Sequence, residues 1–201
     1  RRSLDEALYA RFLAYRDAGL RKEAKASICA FVESFADFAE MEAWTRKFLS
    51  TLRHGELVRH ELYERIVFPV LLAGHDRLDP WSIYWLAETA QNLYRAWPLY
   101  KRLGAPPIQR LFKEAYALAR SSPEIRQGLL RDLMRGFDYM AHEWPTGILY
   151  APGSPLELQN QEILQDIQLA RSLDETGEHA HKIDDFEQKV LAYAARWKRK
   201  T

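Results

Sequence analysis

This chain of 201 residues has little of what identifies many protein classes. It has one cysteine, Cys29, which excludes an internal disulfide framework. No apolar run reaches the roughly 20 residues needed to cross a bilayer, and no secretory signal pattern is present. The net charge is +1, so the whole-chain charge indicates no polyanionic partner. We therefore expect a globular cytoplasmic protein with no membrane partner.

The common catalytic and cofactor-binding motifs are missing as well. The chain has no Gly-rich phosphate loop, dinucleotide fingerprint, Gly-x-Ser-x-Gly elbow, His-Glu-x-x-His pair or cysteine-based zinc pattern. Cys29 lies in an apolar helical stripe with Ile28 and Val32, which is typical of a small core residue rather than a reactive thiol. The sequence therefore favours a protein without a cofactor, and it leans against an enzyme.

Helical periodicity, by contrast, runs through almost the whole chain. It predicts an all-α protein of about seven to nine helices, joined as αα-hairpins in a compact bundle. The segment 80–123 resembles a tetratricopeptide unit, but no second copy follows, so we predict an irregular bundle rather than a regular solenoid. We expect one domain over residues 1–201, and any subdivision would lie near the loop at 145–155.

An aromatic segment contains three tryptophans and three tyrosines between Trp81 and Tyr100. It follows Asp79-Pro80 and has Pro98 near its end. Apolar residues at helical spacing predict one central helix with two apolar faces. The first face includes Tyr94 and Trp97. The second face would bind a partner if no other helix covers it. It contains Trp81, Trp85, Glu88 and Asn92.

The loop at 145–155 contains large apolar residues in a stretch without helical period. Ile148, Leu149 and Tyr150 either pack inward, which the sequence favours, or form a contact patch. In the second case we expect Trp144 and Tyr150 to anchor a protein partner, because buried aromatic residues dominate the energetics of many interfaces.

Two histidine–carboxylate patterns suggest a metal site. Glu56, His60 and Glu64 are spaced by four residues, which would place them along one face of a helix beginning near Glu56. His181 and Asp185 have the same spacing near the start of the last helix. The two patterns resemble the paired ligands of hemerythrin-like bundles, although the His-x-x-x-His element of that family is missing. The alternative is a solvated helix face.

Charge is unevenly distributed along the chain. Residues 156–187 are strongly acidic, whereas residues 95–135 are rich in basic groups. Arg135 and His142, with six residues between them, resemble the Arg-x(4–6)-His pattern of the HEPN ribonucleases, in which such a pair lines a cleft. That resemblance implies an arginine that stabilises phosphate charge and a histidine that moves a proton. The candidate nucleic-acid contacts are Arg110, Lys113, Arg120, Arg131, Arg135 and His142.

Three hypotheses for function follow, in this order. The leading one is a non-catalytic helical module that binds another protein through an exposed aromatic or charged face. The second is a metal-binding helical bundle that uses the histidine–carboxylate pairs. The third is an RNA-binding helical protein that uses the basic stretch at 95–135. A homo-oligomer is compatible with each of them.

Overall fold

The computed structural model describes residues 5–150 and 156–198, and it describes side chains over 5–150 and 161–196. Every regular element in these ranges is helical, which confirms the all-α prediction. None of the helices described is long and apolar enough to cross a membrane. The chain divides into two compact units, Arg1–Ala119 and Arg120–Thr201. This boundary lies before the loop at 145–155, and the single domain stays a prediction.

The helical segments outnumber the seven to nine predicted. The first unit contains, in chain order, α1 (Glu6–Asp17), α2 (Arg21–Glu33), α3 (Phe38–Leu49), α4 (His60–Leu62), a π-helical segment (Tyr63–Val67), α5 (Phe68–Asp76), α6 (Pro80–Glu88), α7 (Ala90–Arg95), α8 (Trp97–Arg102) and α9 (Ile108–Leu118). The second unit contains α10 (Pro123–Met140), a 3-10 turn (Trp144–Thr146), α11 (Leu156–Leu173) and α12 (Ala180–Lys198).

The aromatic segment forms three helices, whereas the sequence predicted one helix broken near its end by Pro98. At the end of α6, the Thr89 hydroxyl donates a 2.6 Å hydrogen bond to the Trp85 carbonyl oxygen, a local bond of the kind that competes with helix geometry. Pro98 has no N–H to donate, so α7 stops at Arg95 and α8 starts with the proline in its first turn. Tyr94 and Trp97 are consequently exposed instead of lying on an inner stripe.

Helix α6 nevertheless takes the central place predicted for this segment. It packs against both α5 and α9, and its residues 82–87 are all buried. Its N-terminus is held by Asp79, which accepts hydrogen bonds from the Ser82 hydroxyl at 2.7 Å and the Arg46 guanidinium at 2.8 Å. Burial acts to raise the pKa of Asp79, but these two bonds, the positive charge of Arg46 and the Trp81 N–H together outweigh it and lower the pKa below its ordinary value.

Pro69 neither ends nor breaks the helix in which it lies. One turn before it the chain widens into the π-helical segment, where the Phe68 N–H bonds to the carbonyl oxygen of Tyr63, five residues back. Helices α4 and α5 therefore continue through this segment from His60 to Asp76. π-helical turns of this kind occur often at functional sites.

In the second unit the core follows the inner faces expected from the sequence. Helix α10 packs against α11, and α11 packs against α12. Phe137 of α10 stacks on Phe186 of α12, with ring centroids 4.5 Å apart. The other buried residues on these helices include Ile125, Leu129, Leu133, Ile167, Ala170, Ile183 and Val190. This core fixes the C-terminal end of α10, where the candidate site lies.

Candidate functional site

A cluster of exposed aromatic rings lies at the C-terminal end of α10. Tyr139 is 70% exposed and Tyr150 is 42% exposed, and their rings stack with centroids 5.7 Å apart. The His142 ring also stacks on the Tyr150 ring, with centroids 6.5 Å apart, and Ile148, near them in sequence, is 52% exposed. We call Tyr139, His142, Ile148 and Tyr150 the Tyr150 surface.

The turn after α10 brings these residues together. Gly147 ends the 3-10 turn with φ = 75°, a left-handed conformation that favours glycine. The chain then returns to the helix, where the Tyr150 N–H donates a 3.0 Å hydrogen bond to the Met140 carbonyl oxygen. Leu149 is buried while Ile148 and Tyr150 are exposed. One residue therefore anchors the segment, and its two neighbours face solvent.

Glu143 holds the Tyr150 side chain in place. The Tyr150 hydroxyl donates a 3.3 Å hydrogen bond to Glu143 Oε1. The negative charge of Glu143 raises the pKa of Tyr150 above its ordinary value, so the phenol stays neutral at physiological pH. A ring that is already fixed loses less conformational entropy when a partner covers it.

Trp144 lies half-buried at the start of the turn. The guanidinium of Arg196 on α12 is 5.8 Å from the centre of its ring. The same guanidinium donates a 3.2 Å hydrogen bond to the Gly147 carbonyl oxygen. Trp144 therefore helps to attach the turn to α12, and only part of its ring is accessible to a partner.

The partner-binding residues predicted on the aromatic segment are mostly covered within the first unit. Trp85 and Asn92 are buried, and the side chain of Glu88 is only 4% exposed. Trp81 is half-buried and lies under the Arg46 guanidinium, 4.4 Å from the centre of its ring. These four side chains therefore offer a partner little exposed surface.

Two of these residues, Glu88 and Asn92, attach the segment before α4 to α6 and α7. The Asn92 amide donates to the Val58 carbonyl oxygen at 2.7 Å and accepts from the Val58 N–H at 3.2 Å. Glu88 Oε2 lies 2.7 Å from His54 Nδ1. Their role in the structure is therefore to hold this segment in position.

Tyr139 was not among the residues that the sequence suggested. Its signal is visible in retrospect, because the inner face of α10 is set by Leu133, Phe137 and the residues one turn away from them. Tyr139 lies off that stripe, on the polar face of α10 with Arg135. A large aromatic residue on the polar face of an amphipathic helix indicates a contact surface.

The helix face predicted for Glu56, His60 and Glu64 does not form. Glu56 lies in a turn, where its carboxylate accepts a 3.2 Å hydrogen bond from the Arg53 N–H, and the helix begins only at His60. His60 Nδ1 lies 3.1 Å from Glu61 Oε2, and the π-helical segment removes the α-helical spacing on which Glu64 depended. The prediction was wrong because a turn and a π-helical segment interrupt the pattern.

His181 and Asp185 do lie on one helix, α12, but in the second unit. Asp185 Oδ2 accepts a 2.6 Å hydrogen bond from Lys189. Within residues 5–150 and 161–196 no three histidine, cysteine or acidic side chains come together in a group that could hold a metal ion.

The basic residues of the 95–135 stretch belong to both units. Arg110 and Lys113 lie on α9 of the first unit, and Arg110 pairs with Glu114 at 2.9 Å. In the second unit, Arg120 is exposed just before α10, and Arg131 is partly buried. Arg135 is exposed, with Asp132 at 3.6 Å. Of these residues, Arg135 lies one turn before Tyr139 on α10, and His142 lies in the turn that follows the helix.

Comparisons with known proteins found no match: no protein-family model, no curated protein and no solved structure is similar to this chain.

Proposed function

We propose that this chain is a non-catalytic protein-interaction module and that the Tyr150 surface binds the partner. The observation that carries the proposal is the stack of Tyr139, near the end of α10, on Tyr150 of the segment that follows it, with Ile148 also exposed there. Large exposed apolar patches are uncommon on globular proteins unless they serve an interface. Tyrosine is also enriched among the residues that carry most of the binding energy.

The charge beside these rings indicates the chemistry of the partner. Arg135 lies one turn before Tyr139 on α10, and its side chain is 62% exposed. Its distance of 3.6 Å from Asp132 is long for an ion pair. The partner we propose is a protein segment that places an apolar side chain on the tyrosine rings and a carboxylate against Arg135.

We also propose that the helices form an irregular bundle of αα-hairpins and that the protein is located in the cytoplasm. A second copy of the same chain is the alternative partner. Analytical ultracentrifugation distinguishes it, because a homodimer through this surface would dissociate when Tyr150 is replaced by alanine.

The decisive experiment recovers partners from the native cell and measures their affinity with purified proteins. We expect Tyr139→Ala and Tyr150→Ala each to weaken binding about tenfold or more, the loss typical of a dominant interface residue. Leu191→Ala is the matched control, since Leu191 is exposed on α12 of the same unit. Equal affinity of all three variants and the unmodified chain would refute the proposal.

Single-stranded RNA is a second candidate for the same surface. Arg135 lies one turn before Tyr139 on α10 and His142 stacks on Tyr150, and stacked aromatic rings next to a cation suit unpaired bases. RNA binding would weaken steeply between about 50 and 200 mM salt, because phosphate contacts release counterions. Titration of a labelled oligonucleotide at both salt concentrations, with Arg135→Gln as the variant, separates it from protein binding.

A further inference from the structure

The first unit contains a cavity of about 340 Å³. It is bounded by the segment before α4, the π-helical segment and the end of α7. Ligand cavities in proteins span about 300–1,000 Å³, so this one suits a small molecule. Its walls include the apolar side chains of Leu57, Val58 and Ala96.

The buried polar side chains that line the cavity, Asn92 and Tyr63, already have hydrogen-bond partners. Asn92 and the Val58 backbone satisfy each other through two hydrogen bonds. The Tyr63 hydroxyl lies 3.1 Å from the Thr89 hydroxyl, and burial raises the pKa of Tyr63 so that it stays neutral. These groups are buried and already bonded, so a ligand would meet mainly the aliphatic side chains of Leu57 and Ala96.

The rim of the cavity carries two opposite charges that the described structure does not use. Arg95 and Glu64 both line it, and both are exposed. Neither side chain has an ion-pair or hydrogen-bond partner among the residues described, and they do not pair with each other. The other two charged residues at the rim, Arg59 and His60, both lie within 3.1 Å of the Glu61 carboxylate.

We propose that this cavity binds a free α-amino acid with an apolar side chain. Such a ligand carries the two charges that complement the rim: its carboxylate pairs with Arg95 and its ammonium group pairs with Glu64. Its side chain lies on Leu57 and Ala96, where apolar area is removed from water. The π-helical segment supports the assignment, since it places Tyr63 and Glu64 at the cavity and such turns are common at binding sites.

The test is calorimetry with four probes: L-leucine, L-phenylalanine, L-leucinamide, which lacks the carboxylate, and N-acetyl-L-leucine, which lacks the ammonium group. We expect saturable binding of the two amino acids and binding of each derivative that is about tenfold weaker or more. Arg95→Gln should weaken L-leucine about tenfold to a hundredfold while leaving L-leucinamide unchanged. Glu64→Gln should weaken L-leucine and leave N-acetyl-L-leucine unchanged.

Arg65→Gln is the matched control, because Arg65 is exposed on the same π-helical segment but does not line the cavity. Its affinity for L-leucine should equal that of the unmodified chain. The proposal is overturned if neither amino acid binds at concentrations up to about 10 mM, a very weak affinity. It is also overturned if N-acetyl-L-leucine binds as well as L-leucine, or if Arg65→Gln loses as much affinity as Arg95→Gln.

Discussion

Replacing Asn92 by alanine should strongly destabilise the first unit. The substitution removes both hydrogen bonds to Val58. The N–H and the carbonyl oxygen of Val58, which is buried, are then left without a protein partner. Each unsatisfied buried group costs about 1–3 kcal/mol. Val58 also lines the cavity, so water can replace part of the loss. We therefore expect the free energy of unfolding to fall by about 2–4 kcal/mol.

Chemical denaturation followed by tryptophan fluorescence measures this change, since four of the six tryptophans belong to the first unit. The matched control is Gln91→Ala, because the neighbouring Gln91 is exposed on the same helix and should change stability by less than about 0.5 kcal/mol. If Asn92→Ala proved as stable as Gln91→Ala, the bonds to Val58 would not hold this segment.

Three further predictions concern stability. Gly74→Ala should cost about 1–3 kcal/mol in thermal unfolding, because a Cβ there would overlap with the Ser82 side chain; stability equal to the unmodified chain would contradict this contact. Gly136→Ala should gain up to about 1 kcal/mol, since its Cβ would meet open space inside a helix; a loss would show hidden crowding. The lowered pKa of Asp79 adds stability above about pH 4 that is lost as the pH falls further. Asp79→Asn should therefore reduce this pH dependence, and an unchanged profile would refute the link.

The helical class and the inner faces of the helices could be predicted from the sequence. Apolar spacing placed Ile125, Leu129, Leu133 and Phe137 on the buried face of α10, where the structure has them. Apolar residues at helical spacing also run from about 22 to 52, a pattern compatible with one helix or two. In the structure, residues 34–37 divide it into α2 and α3. Asp37 accepts a hydrogen bond from the Glu40 N–H, and Glu40 accepts one from the Ala36 N–H, a reciprocal cap of the kind that sequence patterns reveal.

Helix interruptions without a strong breaker were harder to foresee. The π-helical segment before Pro69 and the end of α6 at Thr89 both depend on how backbone carbonyl groups find partners, which periodicity does not report. The helix face predicted for Glu56, His60 and Glu64 does not form for this reason, because the spacing assumed an unbroken α-helix from Glu56 to Glu64. A pattern of every fourth residue has meaning only where the helix itself is continuous.

Exposure was the other property that required the tertiary structure. Trp85 and Trp97 look alike in the sequence, yet Trp85 is buried in the first unit and Trp97 is exposed. For the loop at 145–155, residues 151–155 lie outside the described part of the chain. At its start Leu149 is buried, whereas Ile148 and Tyr150 face solvent. The sequence left inward packing and a contact patch open for these three residues, because periodicity does not report which side chains a neighbouring element covers.

The amino-acid sequence by itself determined that this chain is helical and which faces of its helices are apolar, because both follow from local periodicity and composition. The tertiary structure decided which polar and aromatic side chains remain available. The amide of Asn92 is used by Val58, whereas Tyr139, Tyr150, Arg95 and Glu64 are exposed to solvent. Availability depends on neighbours that are distant along the chain, and only folding brings those neighbours into contact.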